Sequence, residues 1–111
     1  MLSNMLTDEQ ATTLHLLGYV NLQNGRPDRA AVLFAALDVL QPGRPEILRA
    51  LALAQIRRQA PQQALDTLDK LAMTTGVNAG FHLLRARALA QMDRNEEASA
   101  AMKSYLHLRE A

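Results

Sequence analysis

The stretch LHLLGYVNLQNGRPDRAAVLFAALDVLQP, residues 14–42, contains the pattern that the rest of the chain repeats. Its small and large apolar residues return in the same order at intervals of 34 residues. The recurring positions are Leu14 and Leu48; Leu17 and Leu51; Gly18, Ala52 and Ala86; Ala30, Ala64 and Ala98; Phe34, Leu68 and Met102; Leu37, Leu71 and Tyr105. A fixed period of this length is typical of stacked supersecondary units. We therefore expect three copies of one unit.

The order of residue types within one period resembles the tetratricopeptide repeat (TPR), whose unit is two antiparallel helices. The resemblance is carried by Leu14, Leu17, Gly18, Ala30, Phe34 and Pro42. One helix pair leaves an apolar face uncovered, and the next pair covers it. We expect an all-α fold of three tandem TPR helix-turn-helix repeats, stacked as a short right-handed superhelix with a concave groove. Residues 1–111 would form a single TPR domain, with repeats at about 11–44, 45–78 and 79–111.

Local signals predict where the helices begin and end. Thr7 and Gln10 have the spacing of a capping box at the start of the first helix. Pro27, Pro45 and Pro61 each suit the first position of a helix, where the missing N–H is not needed. The predicted helices span residues 8–23, 27–40, 45–58, 61–75, 78–92 and 96–108.

The third copy departs from the pattern. His82 and Arg85 stand where the first two copies have large apolar residues, and Phe81, Leu83 and Leu84 are their neighbours. Two explanations are open at this point. The pattern shifts by one residue in this helix, or Arg85 forms bonds towards the interior.

Composition excludes several classes of protein. Apolar residues make up 49% of the 111 residues but aromatic residues only 4%, which favours a helical core of Leu and Ala. The net charge is +1 and no basic run occurs, so we expect no nucleic-acid partner. Cysteine is absent, which excludes a disulfide framework.

The N-terminus MLSNMLTDEQ does not resemble a signal peptide, and no apolar run is long enough for a membrane span. We expect a cytoplasmic protein.

The sequence shows no pattern of catalytic or ligand-binding residues. His15, His82 and His107 lie on three different predicted helices, and none has a His or Glu partner at the i, i+4 spacing of metalloproteases. No serine stands in a glycine-flanked elbow, and no glycine-rich loop is present that could hold a phosphate. We therefore expect a protein that is not an enzyme and that binds no cofactor or metal.

The first helix of each predicted repeat would line the concave groove. Its groove-facing positions are Thr12, His15, Tyr19, Leu22 and Gln23; then Glu46, Arg49, Leu53, Ile56 and Arg57; then Leu83, Arg87 and Gln91. The apolar members of this set are Tyr19, Leu22, Leu53, Ile56 and Leu83. We predict that they form a strip that binds a partner, because such strips are rarely left in water. The alternative is that neighbouring helices bury them. Arg49, Arg57 and Arg87 beside the strip favour an acidic, amphipathic partner helix.

Three segments carry a closer resemblance: LTDEQATTLHLLGYVNLQNG (residues 6–25), RAAVLFAAL (29–37) and EASAAMKSYLHLRE (97–110). They are similar to the small TPR export chaperones of bacterial type III secretion systems, most of all to the YscY type. The resemblance implies a cytoplasmic chaperone that binds a small secreted component with an amphipathic helix and shields that helix until export. It also implies contact with the export gate at the inner membrane. A related group, which holds the needle subunit together with a second small protein, is the alternative within this class.

A different class of function is a self-associating TPR scaffold or adaptor that forms a homodimer. The last predicted helix carries four large apolar residues, Met102, Tyr105, Leu106 and Leu108, and no polar capping helix follows it. Helical stacks normally end in a solvated outer face. We expect this end to need a cover, which a cargo or a second copy would provide.

Overall fold

The computed structural model describes residues 7–110 and shows an all-α protein. Its helices are α1 (Asp8–Gln23), α2 (Pro27–Leu40), α3 (Pro45–Arg57), α4 (Pro61–Thr75), α5 (Ala79–Gln91) and α6 (Asn95–Glu110). No strand occurs within the described range. The prediction of an all-α fold is confirmed, and each helix end lies close to its predicted position.

The helices begin where local chemistry favours a start. The capping box at α1 is complete: the backbone N–H of Gln10 donates to Thr7 Oγ1 at 3.1 Å, and the backbone N–H of Thr7 donates to Gln10 Oε1 at 3.0 Å. Asn78 caps α5 in a similar way, because its side chain accepts from the backbone N–H of Phe81 at 2.9 Å. Asn78 is therefore the cap of α5 and not its first residue.

The first helix of each successive pair ends in the same left-handed turn. Gly25, Gln59 and Asp93 have φ angles of 73°, 62° and 57°, and they are spaced 34 residues apart. The residue after each one closes the turn through its backbone N–H, as in a Schellman motif. These bonds run from Arg26 to the Asn21 carbonyl, from Ala60 to Gln55 and from Arg94 to Leu89, at 2.8, 2.9 and 3.0 Å. The 34-residue period thus extends to the backbone.

Consecutive helices pack against one another from α1 to α6. Further contacts join α1 to α3 and α3 to α5, so the odd-numbered helices lie side by side. Two hydrophobic clusters form the core. One contains side chains of α1, α2 and α3, and the other contains side chains of α3, α4, α5 and α6. Only α3 contributes to both, with Leu51 and Ala54 in the first cluster and Leu48 and Ala52 in the second.

The recurring small residues lie at close contacts between helices. Ala30 and Ala64 are fully buried, whereas Ala98 on the last helix is only partly buried. Gly18 faces the ring of Phe34, and a Cβ atom at Gly18 would lie 2.6 Å from two carbons of that ring. A side chain at position 18 is therefore excluded by the aromatic ring opposite.

The pattern continues into the third copy without a shift. Phe81 and Ala86 are buried, as are Ile47 and Ala52 one period earlier. Arg85 is half-buried, and within residues 7–110 it forms no ion pair with a carboxylate. A shift of the pattern is therefore excluded. An arginine is tolerated here because its aliphatic stem can cover apolar surface while its charged end reaches water.

In the described part of the chain, no helix is both long enough and apolar enough to cross a membrane.

Candidate functional site

The odd-numbered helices form one continuous face. The side-chain amide of Gln91 on α5 donates to the carbonyl of Ile56 on α3 at 2.8 Å. Both α1 and α5 pack against α3, so the three helices lie next to one another.

Side chains on this face come in rows, because equivalent positions recur every 34 residues. The rows are Thr12, Glu46 and Gly80; His15, Arg49 and Leu83; Tyr19, Leu53 and Arg87; and Gln23, Arg57 and Gln91. We call this set the odd-helix face. Each of the two middle rows combines one aromatic ring, one leucine and one arginine.

The apolar strip predicted from the sequence is narrower than expected. Tyr19 is exposed, and Leu53 and Leu83 are half-buried, so all three offer some apolar surface. Leu22 and Ile56, in contrast, are only 5% and 2% exposed, and they belong to the two core clusters. Including them in a binding strip was therefore wrong. The alternative of burial by neighbouring helices holds for these two side chains.

The position of Tyr19 is set by a small aromatic cluster. The rings of His15 and Tyr19 stack with their centroids 5.1 Å apart. Each of these two rings forms an edge-to-face contact with the ring of Phe34, with centroid distances of 5.6 Å for His15 and 5.4 Å for Tyr19. His15 Nε2 is buried and has no hydrogen-bond partner among the described residues. Phe34 is fully buried, so its contact with Tyr19 holds the exposed tyrosine ring in one position.

The charge on this face is mainly basic. Arg49, Arg57 and Arg87 are exposed, and in residues 7–110 none of them pairs with a carboxylate. Three other arginines do pair, in the ion pairs Arg44–Glu46, Arg58–Asp28 and Arg94–Glu97, at 2.9, 2.8 and 2.6 Å. The three arginines of the odd-helix face therefore remain available to an acidic partner.

Glu46 is the only carboxylate in these rows. Its pKa is lowered, chiefly because its carboxylate accepts a backbone hydrogen bond at the start of α3 and also because of the charge of Arg44. Since Arg44 pairs with Glu46 at 2.9 Å, that negative charge is already balanced. It does not offset the three unpaired arginines.

Two further apolar surfaces lie at the ends of the stack. On α6, Met102, Leu106 and Leu108 are exposed, as the sequence indicated, whereas Tyr105 is half-buried. The other surface was not anticipated. Its members are Leu16, Leu17 and Val20, which are exposed on α1. The equivalent residues on α3 are covered by α2, whereas in the described range no helix precedes α1. The position of α1 as the first helix could therefore have predicted that these three residues are exposed.

The described side chains do not form a metal site. Within residues 7–110, no three side chains of His, Cys, Asp or Glu lie close enough together to hold a metal ion. No known protein-family model matches the chain, and no curated protein matches its sequence.

Proposed function

We propose that this chain is a protein-binding module built from three stacked TPR helix pairs, and that it is not an enzyme. The TPR arrangement is supported by the left-handed turns at Gly25, Gln59 and Asp93 and by contact between the odd-numbered helices. In such a stack the odd-helix face is the inner, concave surface.

The partner that suits this surface is an acidic, amphipathic helix. The observation that carries the proposal is the mixture of Tyr19, Leu53 and Leu83 with three unpaired arginines on one face. Apolar side chains of the partner helix would contact the first group, and its carboxylates would pair with the arginines. Arginine is well suited to this role because its planar group forms two hydrogen bonds with one carboxylate.

The energetics require a partner that contacts more than this face. Full burial of Tyr19, Leu53 and Leu83 would contribute roughly 4–9 kcal/mol, at about 1.5–3 kcal/mol each, and less here because each is already partly covered. Association itself costs an estimated 4–15 kcal/mol. A stable complex therefore needs a partner that wraps further and buries on the order of 2,000 Å². We expect such a partner to be largely unfolded on its own.

We further propose that the partner is a small secreted component of a type III secretion system, kept soluble by this chain before export. This step is supported by the resemblance of residues 6–25, 29–37 and 97–110 to YscY-type chaperones. A cytoplasmic location and a later contact with the export gate belong to the same proposal. The odd-helix face offers such a role the exposed ring of Tyr19 together with three exposed arginines.

Coexpression with the neighbouring reading frames tests this proposal. The wild-type chain should copurify a small partner, and the variant Leu53→Glu with Leu83→Glu should lose that partner, because two charges then lie in the centre of the face. The matched control is Val32→Glu with Val39→Glu, since these valines are exposed on α2 outside the odd-helix face.

The control should retain the partner, and circular dichroism should show unchanged helical content for both variants. Should the double variant at Leu53 and Leu83 lose helical content, Tyr19→Ser offers a milder change, because Tyr19 is the most exposed apolar side chain of the face. The proposal is wrong if the folded face variants copurify the partner at wild-type yield while the α2 control loses it.

A further inference from the structure

The outward surface of α1 lacks the cover that its equivalents have. We call Leu16, Leu17 and Val20 the α1 end face. Leu17 is 46% exposed, whereas Leu51, its equivalent on α3, is 5% exposed. The difference arises because α2 packs against α3, in one cluster with Leu51 and Ala54. In the described range, no helix occupies the corresponding place beside α1.

The outward surface of α6 also has apolar side chains that no other helix covers in the described range. We call Met102, Tyr105 and Leu106 the α6 end face. Met102 is 36% exposed, whereas its equivalents Phe34 and Leu68 are 0% and 1% exposed. Phe34 also packs on α1, but it and Leu68 each share a hydrophobic cluster with the helix that follows, α3 or α5. In residues 7–110, α6 has no such following helix.

The two end faces are therefore the two halves of a contact that the chain already makes twice. The surface that α2 offers to α3, and α4 to α5, is the surface that α6 offers to solvent. The surface that α3 and α5 offer in return is the one left open on α1. We propose that the α6 end face of one copy docks on the α1 end face of a second copy and continues the stack between molecules.

The charges at these ends fit this pairing. Only short loops join α2 to α3 and α4 to α5, so the C-terminus of one helix meets the N-terminus of the next. Between copies, the last turn of α6 would meet the first turn of α1. The last turn of α6 contains His107 and Arg109, whereas α2 and α4 have no basic residue in their last turns. The first turn of α1 contains Asp8 and Glu9. Glu110 also lies in the last turn of α6, so the complementary groups are the side chains of His107 and Arg109 on α6 and those of Asp8 and Glu9 on α1.

The proposed contact joins two different faces, so it predicts association that does not stop at a dimer. A contact between two different faces leaves one free α1 end and one free α6 end, so a third copy can add to the pair. Few apolar side chains take part, so the association should be weak and should depend on concentration. The odd-helix face is not used, and the inference does not depend on the proposed function.

Sedimentation of the full chain over a wide concentration range tests the proposal. The average mass of the wild-type protein should rise steadily with concentration beyond that of a dimer. The variant Leu16→Glu with Val20→Glu blocks the α1 end face, and Met102→Glu with Leu106→Glu blocks the α6 end face. Each variant alone should be a monomer with unchanged helical content, because all four residues are exposed.

Mixing the two variants gives the decisive result. Each retains one intact end face, so the mixture should form a dimer that does not grow further. The control variant Val32→Glu with Val39→Glu should associate like the wild type. The proposal is overturned if the wild type stays a monomer at every concentration. It is also overturned if either end-face variant still dimerises alone, because that result indicates contact between identical faces, or if the mixture stays monomeric.

Discussion

Gln59 and Asp93 occupy a backbone conformation that glycine occupies one period earlier. Their φ angles of 62° and 57° lie in the left-handed region, close to the 73° of Gly25. For a residue with a Cβ atom, this conformation costs about 1–2 kcal/mol. The turn persists at these positions because the recurring backbone hydrogen bonds after α3 and α5 require it.

We therefore expect Gln59→Gly to raise the free energy of unfolding by about 0.5–1 kcal/mol, since relief of the left-handed strain exceeds the entropy gained by the unfolded chain. Gly25→Ala should lower it by about 1 kcal/mol for the same reason. Urea denaturation measures both changes. A loss of stability in Gln59→Gly would show that the turn at this position holds no strain.

The close contact between Gly18 and Phe34 predicts that a side chain at position 18 destabilises the protein. Gly18→Ala places a methyl group 2.6 Å from ring carbons of a side chain that is fully buried and cannot move away. Overpacking of this kind costs about 1–3 kcal/mol, which outweighs the gain in helix propensity of about 1 kcal/mol. One period later the equivalent residues are Ala52 and the smaller Leu68, which are buried in one cluster, so Phe34→Leu should reduce the penalty. A double-mutant cycle that shows no coupling between positions 18 and 34 would contradict this account.

At the scale of helices, the recurring alanines set how closely neighbours approach. Ala64 on α4 is fully buried in the cluster that also contains side chains of α3, α5 and α6, so Ala64→Glu must bury a charge or separate the helices. The expected loss is several kcal/mol, from overpacking of about 1–3 kcal/mol together with burial of a charged group. Ala98→Glu is the matched control and should cost less, because Ala98 is only partly buried. A loss below about 1 kcal/mol for Ala64→Glu in a denaturant melt would contradict the assigned pattern.

The helices themselves could be predicted from the sequence because their ends depend on local chemistry. The capping box at Thr7 and the prolines at positions 27, 45 and 61 act within one turn of the chain. Leu22 could have been recognised as a core residue, since it lies one helical turn after Gly18 and on the same side of α1. The left-handed turns at Gln59 and Asp93 could not be read from residue type, because neither residue is a glycine.

At the scale of the whole molecule, exposure depends on which helices have neighbours. Leu17 and Leu51 are the same residue type at equivalent positions, yet one is exposed and the other buried. Periodicity alone assigns them the same environment. Only the position of a helix within the stack separates them, and this is why the periodic pattern did not predict the α1 end face.

The basic charge of the odd-helix face makes a prediction about binding rates. Reversing Arg57 and Arg87 to Glu should slow association with an acidic partner and weaken the dependence of that rate on salt, because exposed charges steer the encounter of the two proteins. Reversing Arg26 and Arg29, which lie outside the rows of this face, is the control. Stopped-flow or surface-binding kinetics at several salt concentrations would measure the effect. An unchanged association rate for the Arg57 and Arg87 variant would exclude an acidic partner at this face.

Because α3 contributes to both hydrophobic clusters, we expect it to be the last helix to unfold. A cluster of α1, α2 and α3 and a cluster of α3 to α6 share no other helix, so either end of the chain can detach while α3 remains packed. Ala101 is the only buried residue of α6, so we expect this helix to be the easiest to release. Amide hydrogen exchange should therefore be slowest in α3 and fastest in α6. A partner that must be handed on could then be released by unfolding one terminal helix, without loss of the rest of the molecule.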